Sequence, residues 1–143
     1  MAVNWPSTLP KNILRDGFSF TPQSGIVRSE TESGFPLVRR RFTGVSQMLN
    51  VSMVFTPEQF LTFRTFFNNS VANPVLPGVA HGSSRLNFPD PMWFPSTGET
   101  EEDRPTVECR FMIESGGQPY NAVPDGDSRD WRVSFVLEVL PSA

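Results

Sequence analysis

The chain has 143 residues, a formal net charge of −3 and a single cysteine, Cys109. That length suits one domain with a core of its own, one cysteine excludes an internal disulfide, and the acidic balance argues against nucleic acid as the main partner. With 14 Pro, and 13 Phe against 1 Tyr, the composition points to extended segments and turns around an aromatic core rather than to a helical protein.

Residues 1–36 read as an extended N-terminal arm. Prolines fall at 6, 10, 22 and 36, and the apolar residues Trp5, Leu9, Ile13, Leu14, Phe18 and Phe20 keep neither a helical nor a strand period. Short strand pieces are predicted at 18–21 and 25–29. Such an arm cannot make its own core, so it is expected to lie across a neighbouring subunit, its own domain being the alternative. The N-terminus lacks the basic and then apolar regions of a signal peptide, and no apolar run approaches the ~18 residues of a membrane span. The product is therefore expected to be made in the cytosol.

Residues 37–143 are expected to form a β domain with a long loop at 70–104. Residues 37–43 read as a strand whose Arg39 and Arg41 share one face, with Arg40 on the other. This charge either guards an edge strand against aggregation or docks acidic residues of a partner. Lys11 is the only lysine, the other basic residues being Arg, the side chain favoured in interface ion pairs. Residues 47–55 alternate as a strand, with Leu49, Val51, Met53 and Phe55 inward. Thr56-Pro57-Glu58-Gln59 is a helix start: a Thr N-cap, Pro at the first turn and Gln59 closing a capping box. The helix is predicted over 57–68, with Phe60, Phe63, Phe66 and Phe67 facing the sheet and Asn68 or Asn69 ending it in left-handed geometry.

A short strand is predicted at 84–88 inside the long loop. Met92, Trp93 and Phe94 then form an apolar knot, either a contact site or a cap folded over the core. Residues 99–104 read as a solvated acidic turn. Residues 105–114 alternate, placing Val107, Cys109, Phe111 and Ile113 inward. A brief pairing at 120–123 and a turn at 124–129 precede the strongest strand, 130–140, with Trp131, Val133, Phe135, Leu137 and Val139 inward.

The residue types of catalysis are sparse. His81 stands alone in a Gly-Val-Ala-His-Gly loop, Cys109 is buried by its strand phase, and Ser115-Gly116-Gly117 precedes no helix that could cradle phosphate. Asp125, Asp127 and Asp130 share a turn but lack the glycine spacing and distal Glu of a calcium loop. No catalytic, cofactor or metal residue is expected, and the chain reads as a non-enzyme. The expected fold is mainly β (α+β): an antiparallel β-sandwich or split barrel with one flanking helix and the N-terminal arm.

Four features occur together: the Val38-Arg39-Arg40-Arg41-Phe42 strand, a strand running straight into Thr56-Pro57-Glu58-Gln59, a Phe-rich helix ending in Phe66-Phe67-Asn68, and the closing Val136-Leu137-Glu138-Val139-Leu140-Pro141. In this order, over about residues 37–141, the chain resembles the distal tail proteins of long-tailed bacteriophages, including the lambda-type minor tail protein M family. Its opening Asn4-Trp5-Pro6 and Leu9-Pro10 also resembles the starts of proteins in phage tail modules. The resemblance implies a structural virion protein: a hexameric ring joining the tail tube protein to the tail hub protein, with the tape measure and then DNA passing through its lumen. The arm and the 70–104 loop depart from the shorter members of that family. Alternatives are a tail terminator or head–tail joining ring or, from another class, a receptor- or carbohydrate-binding module stacking sugars on Trp93 and Trp131. The candidate interface residues are Trp5, Phe18, Phe20, Arg39, Arg41, Met92, Trp93 and Phe94.

Overall fold

The structure is a computed structural model and describes residues 2–22, 26–29, 34, 37–40, 46–113 and 117–140. It is mainly β with one helix. The strands are β1 (Val3–Asn4), β2 (Ser19–Pro22), β3 (Ile26–Ser29), β4 (Leu37–Arg40), β5 (Gln47–Phe55), β6 (Leu86–Pro89), β7 (Thr106–Phe111), β8 (Asn121–Pro124) and β9 (Trp131–Val139). The helix, α1 (Pro57–Asn68), follows β5 directly.

Seven strands form one mixed sheet in the order β1-β6-β7-β9-β5-β2, with β8 also on β9. The β5–β9 pair is the spine, nine residues in antiparallel register with Val51 opposite Phe135 and Phe55 opposite Trp131. The far half of β9 pairs with β7 and its near half with β8. The two-residue β1 runs parallel to β6, Val3 opposite Leu86. Among the described residues β3 and β4 pair only with each other, as a separate two-stranded sheet.

Period-2 alternation sends one face of this sheet to the core. Leu49, Val51, Met53, Phe55, Leu86, Phe88, Cys109, Phe111, Val133, Phe135 and Leu137 are all buried. The helix covers them with Phe63, Phe66 and Phe67. Phe63 sits at the centre, its ring 5.3 Å from Phe55, 5.2 Å from Tyr120 and 5.7 Å from Phe135. The first is tilted, the second edge-on and the third stacked, and aromatic pairs of these kinds each contribute about 0.5–1.5 kcal/mol beyond area burial. The helix starts as its sequence dictates: Thr56 Oγ1 accepts the Gln59 N–H at 3.3 Å, and Gln59 Oε1 accepts the Thr56 N–H at 3.1 Å.

Several expectations are corrected. Residues 3–9 of the arm do not rest on a neighbour: Val3, Trp5 and Leu9 lie in the chain's own core. β1 and β2 sit at the two ends of the sheet order, and residues 5–18 connect them. A segment that crosses between sheet edges is neither helix nor strand, which is why its apolar residues have no period. Residues 3–9 thus share the core of the β domain, while the boundary at residue 36 lies outside the described residues. The helix ends without left-handed geometry, because Asn69 is extended (φ −71°, ψ 150°) and its N–H returns to the Thr65 carbonyl. Ile113 is 38% exposed, not inward, since β7 has ended at Phe111. Residues 99–104 hold a short 3-10 helix, Glu101–Asp103. Arg41, the 41–43 end of the predicted strand, Gly25 and residues 114–116 lie outside the described residues.

Candidate functional site

β6 ends at Pro89, and Pro91, two residues on, has no N–H with which to continue the ladder. Asp90 builds the turn: its Oδ1 accepts the Met92 N–H at 3.0 Å and its own N–H reaches the Pro105 carbonyl at 2.9 Å. The turn lifts Met92, Trp93 and Phe94 against residues 12–18, which are arriving from the far side of the core. Between them lies a groove of about 600 Å³, lined chiefly by Ile13, Phe18, Met92, Trp93, Phe94 and Arg104.

Arg104 holds this groove together. Its side chain is only 7% exposed and forks onto Glu101. Nε donates to Glu101 Oε2 at 2.9 Å, Nη1 to the Asp90 carbonyl at 2.7 Å, and Nη2 to Asn12 Oδ1 at 3.2 Å. The guanidinium also lies over Trp93, 5.1 Å from the ring centre. One planar group thereby ties the loop, the 3-10 helix and the N-terminal segment, as the multi-donor fork of Arg allows. Arg15 repeats the motif at the rim, 5.1 Å over Phe94. Such contacts are worth about 0.5–1 kcal/mol at exposed sites.

Phe18, Met92, Trp93 and Phe94, all expected at an interface, converge on this groove. Met92 is 48% and Phe94 65% exposed, so the groove opens an apolar surface to solvent. Phe20 is 37% exposed on the edge strand β2, away from the groove, and Arg39 is exposed on β4. Trp5 is the correction among them. It is 8% exposed, packed against Phe63, Phe66, Phe88 and Phe135, and its indole N–H donates to the Pro10 carbonyl at 3.1 Å. Sequence reasoning missed Arg104, whose signal was the Glu101–Arg104 spacing of three, and Arg15, which carries no signal of its own.

The remaining chemical candidates sit elsewhere. His81 is exposed, with its ring edge-on to Phe67 at 6.2 Å. Cys109 is fully buried, and burial pushes its thiol up to about 12. Asp125 pairs with Arg132 at 3.4 Å, and its carbonyl accepts the Ser128 hydroxyl, which braces the 125–130 turn. Among the described residues no helix is long and apolar enough to cross a membrane, and no three His, Cys, Asp or Glu side chains form a metal-sized group. Comparisons with protein-family models, curated proteins and solved structures give no match.

Proposed function

We propose that this chain is a structural, non-catalytic subunit of a phage virion, forming a ring at the distal end of the tail between the tail tube protein and the tail hub protein. The β3–β4 hairpin supports this reading most directly. Among the described residues it pairs with no strand of the main sheet, and a lone two-stranded hairpin is marginal in water. It exposes Val38 at 56% on one face and Arg39 on the other, since successive strand residues alternate, and the Arg39 face suits an acidic partner. An element that needs a partner, on a chain with separate open surfaces, suits head-to-tail contacts, which close into rings.

The net charge of −3 fits the same role. An acidic subunit does not trap DNA passing through a lumen. The sheet and helix spend their aromatics on a rigid core, and Cys109 is sealed inside it, where a thiol is inert. A sugar-stacking module is less well supported: Arg104 covers a face of Trp93, and Trp131 is stacked on Phe60 at 5.1 Å.

Native mass spectrometry of the purified full chain, with negative-stain microscopy of the same sample, tests the proposal. The expected result is a closed ring, hexameric by the resemblance. A monomer at every concentration tested would count against it. Antibody-labelled virions separate the distal-tail position from a terminator or head–tail joining ring, because the label marks one end of the tail or the other.

A further inference from the structure

The structure carries a second unusual surface, on the loop after α1. Residues 65–84 contain no Asp, Glu, Lys or Arg. Within and beside this stretch Leu61 is 59% exposed, Val71 38% and Val75 90%. The loop is nevertheless held firmly. Asn73 Oδ1 accepts the N–H groups of Val75 and Leu76, both at 3.0 Å, and Asn69 Nδ2 donates to the Leu76 carbonyl at 2.8 Å. The Gly78 N–H reaches the Ser70 carbonyl at 3.0 Å, and the Val79 N–H reaches Phe66 at 3.1 Å. A braced turn thus displays Pro74-Val75 to solvent. Water does not favour such a display, and depletion of charge around exposed apolar side chains is the mark of an interface core. Because the turn is already ordered, little conformational freedom remains to be lost on docking.

We propose that the occupant of the Met92–Phe94 groove is the Val75 turn of a second copy of this chain. In the groove Met92 and Phe94 are open to solvent, Ile13 and Phe18 are half-buried behind them, and Arg15, Glu101 and Arg104 complete the walls; the turn offers it exposed Val75 with no charged neighbour. The two surfaces sit at different places on the helix. The turn hangs from the last turn of α1, at Phe66 and Asn69. The segment that leads into the groove is bonded at the first turn, where Gln59 Nε2 donates to the Thr8 carbonyl at 3.3 Å. Each copy therefore donates one surface and receives with the other, a heterologous contact that propagates into a ring or a filament. This contact rests on the ring reading above and names the surfaces that make it.

The single native cysteine is buried, so engineered cysteines report cleanly. The test uses full-length Val75→Cys, Phe94→Cys, their mixture and the double variant under mild oxidation, with the native mass of the unmodified chain measured in parallel. The expected result is no dimer from either single variant, a disulfide dimer from the mixture, and from the double variant a ladder that stops at the ring number. An oligomeric chain that gives no 75–94 disulfide overturns the contact and leaves the ring reading standing. Dimers of Val75→Cys alone overturn it too, because they show turn meeting turn. A chain that is monomeric throughout overturns both. Independently, Val75→Asp, which changes a solvent-facing side chain, is expected to keep the circular dichroism spectrum and raise the dissociation concentration by about tenfold or more; an unchanged dissociation concentration overturns the contact.

Discussion

Trp5 meets Phe88 edge-on, ring centroids 4.9 Å apart and planes at 76°. The same indole touches Phe63 and Phe66 of α1 and Phe135 of β9, so a residue near the N-terminus fastens the helix to the sheet. Trp5→Ala is expected to cost about 3–5 kcal/mol, the range for deleting a buried aromatic, read from urea unfolding. Trp5→Phe keeps a ring, gives up the hydrogen bond to Pro10, and is expected to lose less. A Trp5→Ala chain with unchanged stability and altered oligomer mass would show that Trp5 acts at an interface instead.

Gly78 lies where a side chain has no room. A Cβ there would stand 2.1 Å from the Phe66 carbonyl oxygen and 2.6 Å from that of Asn69. Both are backbone atoms of the helix end and its cap, which cannot swing aside as a flexible side chain would. Gly78→Ala is expected to lower stability by about 1–3 kcal/mol, as overpacking does, seen as a fall in Tm. It should also weaken self-association, because the Val75 turn is anchored through this contact. Stability equal to the parent chain would refute the close approach.

The parts of the fold that were legible in the sequence are those with a local cause. The 47–55 alternation and the Thr56-Pro57-Glu58-Gln59 box each depend on neighbours a few residues away, and both elements stand where they were predicted. The burial of Trp5 was not legible, because its partners are far along the chain and the crossing segment has no period. Arg104 looked like part of a solvated turn because its acidic neighbours dominate the stretch; what buries it are Trp93, Asp90 and Asn12. Met92, Trp93 and Phe94 could be read as a contact candidate from composition, but the opposite wall of their groove, Ile13 and Phe18, came only with the topology. Val75 gave no signal, since in Pro74-Val75-Leu76-Pro77 either apolar residue could be the buried one.

Cys109 gives a pH signature. Burial, first of its causes, raises the thiol to about 12 in the folded chain, against about 8.5 when unfolded. Between those values the unfolded chain has lost the proton and the folded chain keeps it, so stability falls with rising pH. The contribution is complete below about pH 8.5 and is gone once pH passes the folded value. Cys109→Ala is expected to lose packing at neutral pH but to show a flatter alkaline limb in urea midpoints between pH 8 and 11, a window set by these two pKa values. The native thiol should also resist a disulfide reagent until the chain unfolds. Rapid labelling of folded protein would contradict its burial.

Arg104 offers the sharpest test of the groove. Glu101 is half exposed, so the ion pair alone is worth little; the bonds to the Asp90 carbonyl and Asn12 and the packing on Trp93 matter more. Arg104→Ala is expected to cost about 1.5–3 kcal/mol, the range for hydrogen bonds made by a charged group, and to uncover Trp93. Arg104→Lys keeps the charge but loses the planar fork, so it should fall between the two. Acrylamide quenching of tryptophan fluorescence checks this, with quenching rising from the parent through Arg104→Lys to Arg104→Ala. The rise should vanish in a Trp93→Phe background, because Trp5 and Trp131 lie outside the reach of the fork. A rise that persists there would mean that the substitution loosens the core rather than opening the groove.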